Sequence, residues 1–211
     1  MKVLLVNGSP HQKGCTYTAL EEVARALQKD GIETEIFWIQ NKPIGGCIAC
    51  KKCDQLHKCV FDDVVNVFIE KAREADGFVF GSPVHYAAAS GNMTAFMDRA
   101  FYAGSRAEGP SLFYFKPAAA ISSARRAGTT ATFDQLNKYM TIAQMPIVSS
   151  RYWNMVHGAN PDEVRQDEEG MQCMRILGTN MAYMLKAFEL ARKEGLEPHT
   201  PEVATFTNFI R

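Results

Sequence analysis

Four cysteines fall within thirteen residues, Cys47, Cys50, Cys53 and Cys59, at a spacing of C-x2-C-x2-C-x5-C. Thiols at steps of three in a compact loop can converge, and the fourth follows after a short arc. Structural zinc sites usually draw two ligand pairs from knuckles further apart. The closest chemical fit is therefore a 4Fe–4S cluster, which takes four thiolates, three often from a C-x2-C-x2-C run. Gly45-Gly46 lets the loop wrap around its contents, and Lys51, Lys52 and Lys58 offset negative charge. His57 reads as a surface residue. The spacing leaves open another metal, a loop of free thiols, or one disulfide. Cys15 and Cys173 stand apart from the group.

A second stretch suits an anion. Val3 to Val6 is a short apolar run ending in Asn7-Gly8-Ser9-Pro10, and Gly14-Cys15-Thr16-Tyr17-Thr18 follows. A buried strand, a tight turn and a helix start leave backbone N–H groups facing one concavity. Thr16 or Thr18 is expected to cap the helix. The nucleoside-triphosphatase signature G-x-x-x-x-G-K-[ST] is absent, and so is the dinucleotide fingerprint G-x-G-x-x-G. A loop of Ser9, Thr16, Tyr17 and Thr18, with His11 and Lys13 near it, suits one phosphate monoester held mostly by neutral donors. An ordinary strand–turn–helix without a ligand is the plainer alternative.

Two further loops extend the pattern. Residues 82–91 (SPVHYAAASG) are small apart from His85 and Tyr86, so the backbone can approach a flat heterocycle while those rings supply a packing surface. Residues 122–130 carry the only Arg-Arg pair, Arg125-Arg126, which can meet an anion such as a reduced flavin or a nicotinamide-cofactor phosphate. A planar phosphorylated ligand fits all three loops, and FMN is such a ligand.

The elements that position these loops alternate. Strands are expected at Lys2–Val6, Glu33–Ile39, Phe78–Phe80, Lys116–Ser122 and from Ile147 onward to Val156. Helices are expected at Thr16–Lys29, Val64–Ala75, Asn92–Ala103, Thr132–Met145 and, as one long helix, within Asp162–Arg192. This alternation predicts an α/β fold: a doubly wound parallel sheet of five strands with helices on both faces. Five strands favour the flavodoxin-like order 2-1-3-4-5, with ligands beyond the carboxyl ends of the strands. Met174, Leu177, Met181, Met184, Leu185 and Phe188 lie at helical spacing, first as core and second as a subunit interface. Residues 1–195 are expected to form a single FMN-binding domain with a cysteine-rich insertion at 43–61, and 196–211 an irregular tail.

Composition sets limits. The 211 residues carry 23 basic and 23 acidic side chains, a balance that argues against nucleic acid as a main partner. No apolar run has the length of a membrane span, and the N-terminal run is too short for a signal-peptide core. A cytoplasmic protein without a membrane partner is expected, in which clustered cysteines serve metal or redox chemistry.

The chain resembles the flavodoxin-like NADPH-dependent FMN reductase superfamily, in particular its iron–sulfur flavoprotein branch. The segments that carry the resemblance are Gly8-Ser9-Pro10 through Gly14-Cys15-Thr16, Cys47 to Asp63 (CIACKKCDQLHKCVFDD) and Gly81 to Arg99 (GSPVHYAAASGNMTAFMDR), in order over residues 1–150. It implies FMN with its phosphate at Ser9, Thr16, Tyr17 and Thr18. It implies isoalloxazine contacts from Pro83, Val84, His85 and Tyr86, with help from Ser123, Ala124, Arg125 and Gly128. It also implies a homodimer or homotetramer. The chain departs from the family pattern at Cys15, where Asn is usual, and at His11, where Arg is common. The activity so implied is an NAD(P)H:acceptor reductase delivering electrons to a small-molecule acceptor. The alternatives are an electron carrier between ferredoxin, a 4Fe–4S cluster and FMN, and a non-enzymatic FMN-binding thiol sensor.

Overall fold

The computed structural model describes residues 1–108, 111–200, 202, 205 and 207. Strand β1 (Lys2–Asn7) lies between β2 (Glu33–Trp38) and β3 (Gly77–His85), and all three run parallel. β5 (Ala118–Ala124) pairs parallel with β3, and β6 (Met155–His157) pairs parallel with β5. A two-residue strand, β4 (Ala88–Ala89), folds back on the end of β3 as a hairpin. The five long-axis strands therefore follow β2-β1-β3-β5-β6, the predicted doubly wound order.

Alternation along the central strands explains the two-faced core. Leu4, Val6, Phe78, Phe80, Ala118 and Ala120 face one layer, while Val3, Leu5, Val79, Ala119 and Ile121 face the other. The first layer holds helices α3 (Val64–Arg73), α4 (Gly91–Gly104) and α5 (Thr129–Ile142). The second holds α1 (Cys15–Lys29), α6 (Pro161–Gln166) and α7 (Glu168–Lys193). Strands buried on both faces need no polar alternation, which is why Val3–Val6 reads as a continuous apolar run. Gly178 lets α7 approach α1 closely: a Cβ there would fall 2.6 Å from the Ala26 Cβ and 2.7 Å from the Val23 carbonyl. Met174, Leu177, Met181 and Leu185 are core residues, and Met184 and Phe188 are half-buried at its margin.

Several sequence expectations are corrected. Neither Thr16 nor Thr18 caps α1; Gly14 occupies the N-cap, and both threonines lie inside the helix. β3 is longer than the expected Phe78–Phe80: it runs to His85, and its pairing with β5 continues through Pro83, in register with Ser123. Pairing with β1 ends at Gly81, so on that side the missing N–H of Pro83 interrupts no ladder. α5 begins three residues earlier than expected, behind Gly128 in the left-handed region at φ 91°. The fifth strand does not run from Ile147 to Val156: Ile147 makes one isolated bridge to Ala118, and regular pairing resumes only at Met155. The long C-terminal helix is two helices. Asp167, at ψ 79°, breaks the run and caps α7 by accepting from the Gly170 N–H. The positions following Gly195 up to Thr200 carry no regular structure, and the rest of the expected tail lies largely outside the described residues.

Candidate functional site

The first loop is built on Gly8. Its N–H donates to the Gly81 carbonyl at 2.8 Å, and a Cβ would sit 2.6 Å from Met93 Sδ. Asn7 Oδ1 accepts from the Ser9 N–H, and Ser9 Oγ accepts from the His11 N–H, so the turn is wired from within. Trp38, at the end of β2, donates its indole N–H to the Ser9 carbonyl at 2.8 Å. Among the described residues, the backbone N–H groups of Lys13, Cys15, Thr16 and Tyr17 find no acceptor. The last three are orphan donors of a 15-residue helix, on the positive end of its dipole, and with Lys13 beside them they suit a doubly charged phosphate.

The hydroxyls expected to bind are mostly engaged. Ser9 is buried, Thr18 Oγ1 donates to the Gly14 carbonyl, and Tyr17 OH is turned along the helix to Glu21 at 3.4 Å. Thr16 Oγ1 lies 2.8 Å from Ser123 Oγ, both buried, which joins the first loop to the third. The Cys15 thiol is half-buried and donates to the Gly158 carbonyl at 3.6 Å; burial, with Glu163 adding, pushes its pKa up. His11 and Lys13 are exposed at the rim.

The second loop is tied to the first through serines. Ser90 Oγ donates to the Gly8 carbonyl, Ser82 Oγ accepts from the Ser90 N–H, and the same Ser90 side chain caps α4 at Met93. Pro83 and Val84 line the inner part of the hairpin, while His85 and Tyr86 stand exposed at its tip. Tyr86 is fully exposed and holds a left-handed φ of 62°, an uncommon conformation for a bulky residue. Gly128 joins the second loop to the third: a Cβ there would fall 2.7 Å from Val84 Cγ1. Ser123 and Ala124 are buried under this junction, and Arg125 and Arg126 are exposed above it. The structure thus brings Ser9, Thr16, Pro83, Val84, Ser123 and Gly128 to one end of the sheet and leaves Arg125 and Tyr86 at its rim.

The cysteine loop forms a separate pocket. Cys47, Cys50, Cys53 and Cys59 all line one small cavity that is partly open to solvent. Cys47 and Cys50 are exposed, Cys59 is half-buried and Cys53 is buried at the start of the short helix α2 (Cys53–Leu56). Burial, with Asp54 nearby, pushes the Cys53 thiol up. Among the described residues no three His, Cys, Asp or Glu side chains group as for a single metal ion. The four cysteines share one cavity lining, and an all-thiol donor set is the chemistry of iron–sulfur ligation. His57 stays outside, its Nδ1 2.7 Å from the Arg106 carbonyl.

The pocket's inner wall contains residues that the sequence did not single out as site residues. Arg99 of α4 is 2% exposed. Its Nε donates to Cys59 Sγ at 3.2 Å, its Nη1 to the Gly45 carbonyl, and its fork to both Asp63 oxygens at 2.7 and 2.9 Å. Burial opposes the charge, but the bonds to Asp63 and Cys59 outweigh it and hold the guanidinium above its ordinary pKa. Asn66 clamps the loop end: its amide donates to the Cys59 and Phe61 carbonyls while its oxygen accepts from the Cys59 N–H. Asn92 does the same for the loop start, bonding Lys42 and Ile44. The available signal was weak: Arg99 stands three residues after the core position Phe96 in a helix otherwise poor in charge.

Comparisons with known proteins agree with this fold. The chain is 29% identical over 197 residues to an iron-sulfur flavoprotein of Methanocaldococcus jannaschii, covering 88% of this chain and 98% of that one. A second iron-sulfur flavoprotein of the same organism is 26% identical over 187 residues, covering 83% and 92%. Among solved structures, RosB with bound 8-demethyl-8-formylriboflavin-5'-phosphate has the same fold, at a TM-score of 0.70 and 15% identity, over 100% of this chain and 94% of that one. Residues 1–160 match the profile of the family described as NADPH-dependent FMN reductase, a span that contains all three loops and the cysteine pocket. The chain belongs to the NADPH-dependent FMN reductase family and is, on that ground, an FMN-dependent oxidoreductase.

Proposed function

We propose that this chain is an iron–sulfur flavoprotein that passes electrons between a ferredoxin-type donor and a small-molecule acceptor. FMN would occupy the crevice of the three loops, and a 4Fe–4S cluster would be held by Cys47, Cys50, Cys53 and Cys59. The observation that carries this reading is the convergence of those four thiols on one cavity. FMN supplies two-electron chemistry at its ring and the cluster single-electron steps.

The chain's own contribution is positional. The free N–H groups of Lys13 and Cys15 to Tyr17, beside Ser9, His11 and Thr18, take the phosphate. Thr16, held by Ser123, fixes the loop rather than reaching outward. Pro83, Val84, His85 and Tyr86 take one side of the isoalloxazine, and Ser123, Ala124, Arg125 and Gly128 the other. Residues 1–195 act as one FMN-binding domain with 43–61 as its cysteine-rich insertion, and the assembly we infer is a homodimer or homotetramer.

Anaerobic purification followed by FMN, iron and acid-labile sulfide assays tests the reading. The expected result is one FMN and about four iron atoms per chain, with iron lost and FMN kept when Cys53 and Cys59 become Ala. Protein that holds FMN but takes up no iron or sulfide on reconstitution overturns it. A second reading, direct NAD(P)H:acceptor reduction, is supported by the exposed pair Arg125-Arg126 at the flavin rim. Rapid flavin bleaching by NADPH in iron-free protein supports that reading; no bleaching by NADH or NADPH counts against it.

A further inference from the structure

Arg99 makes more contact with the cysteine pocket than any mere helix side chain requires. Its carbon stem lies in the core of α4, yet all three of its nitrogens are spent on the loop: Cys59 Sγ, the Gly45 carbonyl and both oxygens of Asp63. The guanidinium also lies over the Phe61 ring, 4.8 Å from its centroid. A buried charge that lost these partners would face a large desolvation cost, so the position is held because each guanidinium nitrogen has an acceptor, four bonds in all. Gly45 precedes the first cysteine by two residues and Cys59 is the last, so one side chain joins the two ends of the loop.

The consequence is electrostatic as well as mechanical. A hydrogen bond and a positive charge beside a thiolate sulfur stabilise negative charge there. Adding an electron to a thiolate-ligated cluster increases its negative charge. Arg99 therefore favours the reduced form, and Asp63, paired with it on the far side, moderates that effect. Asp63 is also the N-cap of α3, a role that Asn fills equally well.

We propose that Arg99 is a positioning residue for Cys59 and that the Arg99–Asp63 pair sets the reduction potential of the metal–sulfur cluster. This rests on the reading that the four cysteines hold a cluster.

The test compares wild type, Arg99→Gln, Arg99→Lys and Asp63→Asn, each reconstituted anaerobically with iron and sulfide. Iron content and the visible spectrum are recorded first. The one-electron equilibrium is then titrated against dithionite-poised mediators, which supply the electron. R99Q is expected to shift the equilibrium at least tenfold toward the oxidised form, about 59 mV for a one-electron couple. D63N is expected to shift it the opposite way, because the guanidinium loses its counter-charge. R99K, which keeps the charge but not the fork, should fall between wild type and R99Q. Should R99Q fail to take up iron, the upward shift in D63N still decides. Shifts in the same direction for R99Q and D63N, or none in D63N, overturn the proposal while leaving the cluster intact. Wild type that takes up no iron overturns the cluster reading instead.

Discussion

Thr16 and Ser123 are 107 positions apart in sequence, yet their hydroxyls meet at 2.8 Å where the first helix of the fold passes the end of β5. Both groups are buried, so neither finds water if the other is removed. Thr16→Val should cost about 1–3 kcal/mol through the stranded Ser123 hydroxyl, and FMN affinity should fall roughly tenfold or more. Joining Ser123→Ala to it should cost less than the sum of the two single changes. Thermal melts and FMN fluorescence titrations of the cycle check both.

Trp38 is the outside brace of the same loop, through its bond to the Ser9 carbonyl. Trp38→Phe keeps the ring and removes the donor. The expected effect is a loss of about 1 kcal/mol, read as several-fold weaker FMN binding. With Trp153→Phe as background, Trp38 is the only tryptophan, and its emission should quench on FMN addition.

Gly128 holds a left-handed φ of 91° and lies against Val84. Gly128→Ala combines backbone strain with a clash, about 2 kcal/mol in all. For a chain of this size that is a fall in Tm of about 4–8 °C. Gly128→Ala together with Val84→Ala should recover the part due to the clash, since the neighbouring methyl is gone.

Asn66 fixes the backbone around Cys59 with three hydrogen bonds. Asn66→Asp replaces a donor by a carboxylate facing two carbonyls, so the loop end should detach. In metal-free protein the Cys59 thiol should then react with a thiol reagent at least several-fold faster than in wild type. Mass spectrometry of labelled peptides checks it, with exposed Cys47 and Cys50 as internal standards.

Glu35 on β2 lies between Lys2 of β1 and Lys71 of α3. Burial opposes its charge, but the bonds to Lys71 and Lys2 outweigh it, and its pKa falls below the ordinary 4.5. A depressed carboxyl stabilises the fold above that ordinary value and loses its contribution as pH falls through the folded value. Glu35→Gln should therefore be less stable by under about 1 kcal/mol at neutral pH, given its partial exposure. The difference from wild type should vanish in strong acid. Denaturant melts at pH 7 and pH 3 check the sign.

The order of the sheet and the three loops at its carboxyl end were legible because their signals are local. Val3–Val6 is apolar without alternation, and Gly8-Ser9, Gly81-Ser82 and Ser122-Ser123 mark the strand ends from which the three loops leave. The four cysteines announce themselves by spacing alone. What local sequence does not contain is burial. Arg99 in Met97-Asp98-Arg99-Ala100 reads as a surface charge, and only packing turns it inward. Asp63 reads as a helix cap, which it is, but its second role needs Arg99 from 36 positions away. The break at Asp167 was hidden because the acidic residues around it suit a helix start and a helix surface alike.

Both rims of the sheet are poor templates for further strands. At one side β6 offers only three residues before the chain leaves it; at the other β2 is studded with Glu33 and Glu35, each met by Lys2. Short or charged margins of this kind discourage strand-by-strand growth into fibres. Copies of the chain that associate should therefore not do so by extending this sheet, and a concentrated solution should give no cross-β precipitate.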